Sequence, residues 1–186
     1  MEAVHQDKRY TYDDYKTWID DVRYELIDGI PYMMAPPNRK HEDISGAIFY
    51  QLYGFLKGKP CRVYDAPFGV RLNANEDTVV EPDIVVVCDN SKLNDDGCVG
   101  APDLVMEILS KSTLSYDKVV KFNKYLQAGV REYWIIEPEG NIVNVHILEN
   151  GKYVTTAYAE TDIVPVHVLE GCKISLPDVF MEISVT

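Results

Sequence analysis

Two short apolar runs constrain this chain more than any other feature, because each carries a carboxylate into a segment that has to be buried. Ile84-Val85-Val86-Val87 and Leu104-Val105-Met106-Glu107-Ile108-Leu109 have the length of strands and almost no polar residues, the pattern of strands covered on both faces. Asp83 opens the first run, behind Glu81-Pro82, and Glu107 lies inside the second. An ionised carboxylate in such a place is unfavourable unless it is paired, hydrogen-bonded or metal-bound. Asp83 could cap backbone amides at a strand edge, and Glu107 could belong to a structural ion pair. Taken together on neighbouring strands, the two acids make a hard oxygen site suited to Mg²⁺ or Mn²⁺.

The rest of the chain supplies a frame for these strands. A helical N-terminal extension is expected within residues 1–20, around Thr11–Ile19, followed by strands Arg23–Ile27 and Ile30–Met34 joined by Asp28-Gly29, a strong hairpin signal. Asn38 is placed to cap a helix over Arg39–Lys57, whose Ile44, Ile48, Leu52 and Phe55 recur at helical spacing with His41 on the same stripe. Further strands are expected at Arg62–Asp65, Gly69–Leu72, Val79–Val80 and Ile84–Cys88, and Asp89–Gly100 reads as a polar loop. A second helix, Tyr116–Ala128, stops at Gly129, and Arg131–Glu137 returns as a strand. Ile142–Leu148, Tyr153–Tyr158 and Val164–Val168 read as a meander with an Asn150-Gly151 turn, and Pro177–Phe180 as a short closing helix. The order predicts an α/β (α+β) chain with a central mixed sheet, flanking helices and additional antiparallel strands, all in one domain over 1–186.

Composition narrows the function classes. No run of about 18 apolar residues exists and the N-terminus lacks the apolar centre of a signal peptide, so a cytoplasmic location without membrane contact is expected. Cys61, Cys88, Cys98 and Cys172 are widely spaced and read as free thiols. The net charge of −12 works against avid, nonspecific binding of a phosphate backbone. The charge is uneven, however: five basic residues and one acid between Lys111 and Arg131 give a local +4 that can guide a polyanion. No P-loop, GxSxG or HExxH motif is present, which weakens nucleotide triphosphatase, serine esterase and zinc-protease readings.

The series Tyr24-Glu25-Leu26-Ile27-Asp28-Gly29, His41, Glu81-Pro82-Asp83-Ile84-Val85-Val86, Val105-Met106-Glu107-Ile108-Leu109-Ser110-Lys111-Ser112-Thr113, Asp117-x3-Lys121-x3-Tyr125 and Ala128-Gly129-Val130-Arg131-Glu132-Tyr133-Trp134 resembles the Uma2 family, formerly DUF820, of restriction-endonuclease-like proteins. The resemblance covers roughly residues 20–180. It implies a PD-(D/E)XK nuclease fold and a metal-dependent endonuclease acting on nucleic acid, with DNA the expected substrate. Carried over by position, Asp83 and Glu107 become the two motif acids, and Glu25 an additional acid completing the metal site. The usual motif sets a lysine two residues after the second acid, where this chain has Leu109; the family pattern moves the lysine to the following helix, matching Lys121.

The residues themselves leave alternatives open. On a regular helical wheel Lys121 groups with Asp117, Lys124 and Ala128, opposite Val119, Phe122 and Leu126, as on a solvated face with an Asp117–Lys121 pair. Lys111 shares strand parity with Glu107 and is a rival beyond the strand's end. His41 is either a hydrogen-bonded core histidine or a site-lining residue, and Glu25 either a surface glutamate or a site acid. Tyr133-Trp134 reads as core rather than a base-stacking platform. A catalytically silent, nuclease-fold interaction or assembly module is the alternative to the enzyme, and a homodimer is expected in either case.

Overall fold

The computed structural model describes residues 8–18, 22–72, 77–110 and 116–181. In chain order the elements are α1 (Tyr12–Tyr15), β1 (Tyr24–Ile27), β2 (Ile30–Met33), α2 (Arg39–Leu56), β3 (Arg62–Asp65), β4 (Val70–Arg71), β5 (Val79–Val80) and β6 (Ile84–Val87). They continue with β7 (Leu93–Asn94), β8 (Gly97–Val99), β9 (Leu104–Ile108), α3 (Phe122–Ala128), β10 (Glu132–Glu137), β11 (Ile142–Glu149) and β12 (Lys152–Ala159). The chain closes with β13 (Ile163–Pro165), β14 (Lys173–Ser175) and α4 (Leu176–Val179).

The central sheet has the order β12-β11-β10-β9-β6-β3. Only β9 and β10 run parallel, joined through α3, so the sheet is mixed, as expected from the sequence. Its two inner apolar runs are fully covered, and alternation sends their side chains to two different cores. Met106, Ile108, Trp134 and Ile136 pack against α2, α4 and the β13–β14 pair. Val85, Val105, Tyr133 and Ile135 face α3 and a second sheet, β2-β1-β5-β4-β8-β7. Tyr133 and Trp134 are both fully buried core residues.

Local chemistry explains the element ends. Thr11 caps α1 in a reciprocal capping box with Asp14, and the helix is a single turn, shorter than the sequence suggests. Asn38 caps α2 by accepting from the His41 amide, and Ile44, Ile48, Leu52 and Leu56 form its buried stripe. Asp28 and Gly29 both take positive φ, 51° and 75°, as the two-residue turn between β1 and β2 requires. Gly97 packs so closely on Gly69 that a Cβ there would lie 2.1 Å from the Gly69 carbonyl oxygen, which excludes any side chain.

The structure corrects several expectations. The polar loop at 89–100 contains a β7–β8 hairpin that extends the second sheet, with Lys92 anchored on the Ala101 carbonyl. The segment after β12 does not continue the meander. Asp162 accepts from the Ala159 amide, the chain leaves the sheet there, and β13 pairs with β14 instead. Cys61 and Cys88 are not free thiols but are joined in a disulfide, whereas Cys98 and Cys172 are free and buried. The antiparallel register Arg62↔Val87 sets Cys61 directly opposite Cys88 across β3 and β6, an adjacency that a separation of 27 residues conceals. Among the described residues no helix is long and apolar enough to cross a membrane.

Candidate active site

Strand register brings the two acids together. The β6–β9 ladder runs Val86↔Leu104, Val85↔Val105, Ile84↔Met106, so the next step outward sets Asp83 opposite Glu107. Both share strand parity with Val85 and Val105, and therefore face the core between the two sheets. Asp83 caps the strand end: its Oδ2 accepts from the Ile108 amide at 2.7 Å. Its Oδ1 lies 3.1 Å from His41 Nε2, which places His41, from the first turn of α2, at the wall of the site rather than in the α2 core.

Lys121 comes from the opposite side. The helix after β9 begins as a π-helical turn, Tyr116–Lys121, before becoming α-helical. This wider turn changes the angular phase of its side chains. Val119 is consequently 58% exposed, whereas Lys121 is 2% exposed, the reverse of the regular-wheel reading. The solvated face is thus corrected: the Lys121 ammonium lies 2.8 Å from Glu25 Oε1 and 2.9 Å from Glu107 Oε1. Glu25 on β1 is fully buried and also accepts from the Glu81 amide at 2.9 Å. One buried cation thus joins a carboxylate from each sheet.

Tyr125, one helical turn beyond Lys121, donates to the same Glu107 oxygen at 2.6 Å. Burial, reinforced by the Glu107 charge, holds its hydroxyl well above the ordinary phenol range, so it stays a donor. In the sequence, the signal for Tyr125 is its i,i+4 spacing from Lys121. Around the rim, Arg23 forms a two-nitrogen contact with Glu81, which also accepts from Tyr15. Lys111 lies outside the described residues.

His41, Asp83, Glu107 and Lys121 line one side of an open cavity of about 570 Å³, with Arg23 and Glu81 also on its wall. Glu25 and Glu107 share one lysine, and Asp83 lies beside Glu107 across the strands, so the carboxylates outnumber the ammonium. Among the described residues no cluster of three or more His, Cys, Asp or Glu side chains is arranged to hold a metal. Asp83 and Glu107 are the neighbouring acids that could hold a hard, strongly hydrated ion through few protein oxygens, although Lys121 engages one oxygen of Glu107 as it does of Glu25.

A third buried acid, beside Glu25 and Glu107, carries no local signal in the sequence. Glu132, at the start of β10, is fully buried, accepts from Trp134 Nε1 at 2.7 Å and from the Val168 amide at 2.8 Å, and ties the last segment to the sheet. Burial raises its carboxyl above the ordinary range. It belongs to the frame, not to the cavity.

Comparisons with known proteins agree with this architecture. The chain is 22% identical to a protein of known crystal structure described as a putative nuclease belonging to DUF820, from Anabaena variabilis; the match covers 91% of this chain and 97% of that one, with a TM-score of 0.75. At that identity the likeness establishes the fold. A relative from Synechocystis, the uncharacterized protein slr1290, is 25% identical over 154 residues, which is 81% of this chain and 80% of that protein. Residues 12–177 match the Uma2 family, described as "Putative restriction endonuclease", and the chain belongs to that family.

Proposed function

We propose that this chain, as one domain, is a Mg²⁺- or Mn²⁺-dependent endonuclease that hydrolyses phosphodiester bonds in DNA. The observation that carries this reading is the buried Lys121 held between Glu25 and Glu107 beside Asp83 on the cavity wall. Family membership supplies the reaction class. Asp83 and Glu107 are the residues to hold the cation. When bound, that cation supplies charge neutralisation at the phosphate and acidifies water. Lys121 keeps a positive charge next to Glu107, where it orients the attacking water and offsets charge developing on the phosphate oxygens. Tyr125 fixes the Glu107 carboxylate, and His41 sits on Asp83 at the mouth, within reach of a phosphate or its water. A homodimer would add the surface that a chain of this size needs to grip a duplex.

The net charge of −12 favours the competing reading, an interaction module with a silent site. Cleavage of plasmid and single-stranded substrates with Mg²⁺ or Mn²⁺ separates the two, with wild type compared to folded Asp83→Asn, Glu107→Gln and Lys121→Met. Metal-dependent cutting by wild type, lost in all three variants, is expected. Wild type that neither cuts nor binds Mn²⁺ by calorimetry establishes the module. Cutting that persists in all three variants removes this site from the chemistry.

A further inference from the structure

The central sheet ends on an edge that nothing in the described chain protects. Its outer strand, β12, is eight residues long, contains no proline or glycine and carries one charged residue, Lys152. Six of its residues are exposed, Val154 to 45%. The other edges are blunted in the ways soluble proteins commonly use: β3 is four residues long with a charge at each end, β2 contains Pro31, and β7 has two residues. Long neutral edges pair with further strands unless something prevents it.

The backbone of β12 is set for such pairing. Leu148, opposite Tyr153, donates to Arg131 on the β10 side, so alternation turns the N–H and C=O groups of Tyr153, Thr155 and Ala157 outward. The Ala159 amide also points outward and is taken by Asp162, which marks where the usable edge stops.

We propose that β12 pairs antiparallel with β12 of a second copy of this chain about a two-fold axis through Thr156, giving one continuous sheet across a homodimer. A two-fold axis normal to the sheet keeps each face on its own side, so facing residues must share parity. Centring on Thr156 sets Thr155 opposite Ala157 of the partner subunit, with their outward backbone groups bonded. The same register sets Val154 against the partner's Tyr158, an apolar pair, and Lys152 against the partner's Glu160, an ion pair repeated at both ends. Lys152 forms no ion pair within the described residues, and Glu160, one residue past the strand, is exposed and accepts from Asn141. This charge complementarity selects a second copy as the occupant. The pairing is independent of the nuclease reading, since none of these residues lines the cavity.

Sedimentation velocity on the full chain over a range of concentrations tests the proposal, with circular dichroism to check folding. Wild type is expected to dimerise. Ala157→Pro, whose lost N–H points away from β11, is expected to be monomeric. Lys152→Glu and Glu160→Lys are each expected to weaken the dimer about tenfold, since two facing pairs become like-charged, and the double exchange is expected to recover it. A wild-type monomer at every concentration overturns the proposal, including the case in which β12 captures a foreign extended segment instead. So does a dimer indifferent to these changes, or single reversals that the double exchange does not rescue. If Ala157→Pro does not fold, the charge exchange alone decides.

Discussion

Replacing Lys121 with methionine would keep most of its volume and remove the positive charge held between two buried glutamates. Its ammonium lies 2.8 Å from Glu25 and 2.9 Å from Glu107, at 2% exposure. Removing one partner from a buried ionic group costs about 3–5 kcal/mol, because the remaining charges stay buried without compensation. For a chain of this size that corresponds to a fall in Tm of roughly 6–20 °C. Urea denaturation followed by the fluorescence of Trp134, which is fully buried, reads the change. Lys124→Met is the internal control: its lysine pairs with Asp28 at a partly exposed site, where such pairs contribute about 0–1 kcal/mol. Adding Glu25→Gln to Lys121→Met removes one of the stranded charges and should recover about 1–2 kcal/mol of the loss. If Lys121→Met costs no more than Lys124→Met, or if Glu25→Gln deepens the loss, the buried network is refuted and Lys121 belongs to a solvated face.

Three further outcomes follow from groups outside the cavity. Burial lowers His146 to about 4, so the folded state binds its proton less tightly than the unfolded one; stability should fall as pH drops from about 6.5 towards 4, and His146→Gln should flatten that decline in pH-dependent melting. Glu132 is shifted the opposite way, upward by burial, so its contribution favours the folded state below the ordinary carboxylate range and is lost as pH rises towards its raised value. Glu132→Gln should therefore gain relative to wild type as pH climbs through that window, and a pH-independent difference would count against the assignment. Thiol titration of the denatured, unreduced chain should find Cys98 and Cys172 but not Cys61 and Cys88. Reduction should cost about 3–4 kcal/mol for a loop of this length, measured by denaturation with and without a reductant.

The parts of the fold that could be read from the sequence were those fixed by short-range periodicity. The runs at 84–87 and 104–108 have side chains that alternate between two cores, which leaves no room for polar residues and makes both strands conspicuous. Asn38 and the Asp28-Gly29 and Asn150-Gly151 turns were equally visible, since capping and positive φ depend on local chemistry. What escaped notice depends on register or phase. Cys61 meets Cys88 only after β3 and β6 have paired. Lys121 turns inward only because a π turn precedes α3, and a wheel drawn at 3.6 residues per turn points it the wrong way. Glu132 looked like an ordinary charged residue at a strand start because its partners, Trp134 and the Val168 amide, are supplied partly by a segment far along the chain.

The candidate site also shows how a lysine can reach Glu107 from a different element than the strand that carries it. Two residues beyond Glu107, on the same strand face, stands Leu109, 6% exposed and packed in the core between the sheets. The ammonium reaches Glu107 from the helix lying over that face instead, and in doing so bridges β1 of one sheet to β9 of the other. Lys121 therefore carries two burdens, since its loss removes a charge from the proposed chemistry and also unties the sheets. Loss of cleavage in Lys121→Met alone would not separate these effects. Asp83 separates them better: it stands at 16% side-chain exposure on the cavity wall, and asparagine in its place keeps an acceptor for the Ile108 amide while removing the charge. A folded, stable Asp83→Asn variant without activity would thus speak for chemistry at this site in a way that no substitution of the buried lysine can.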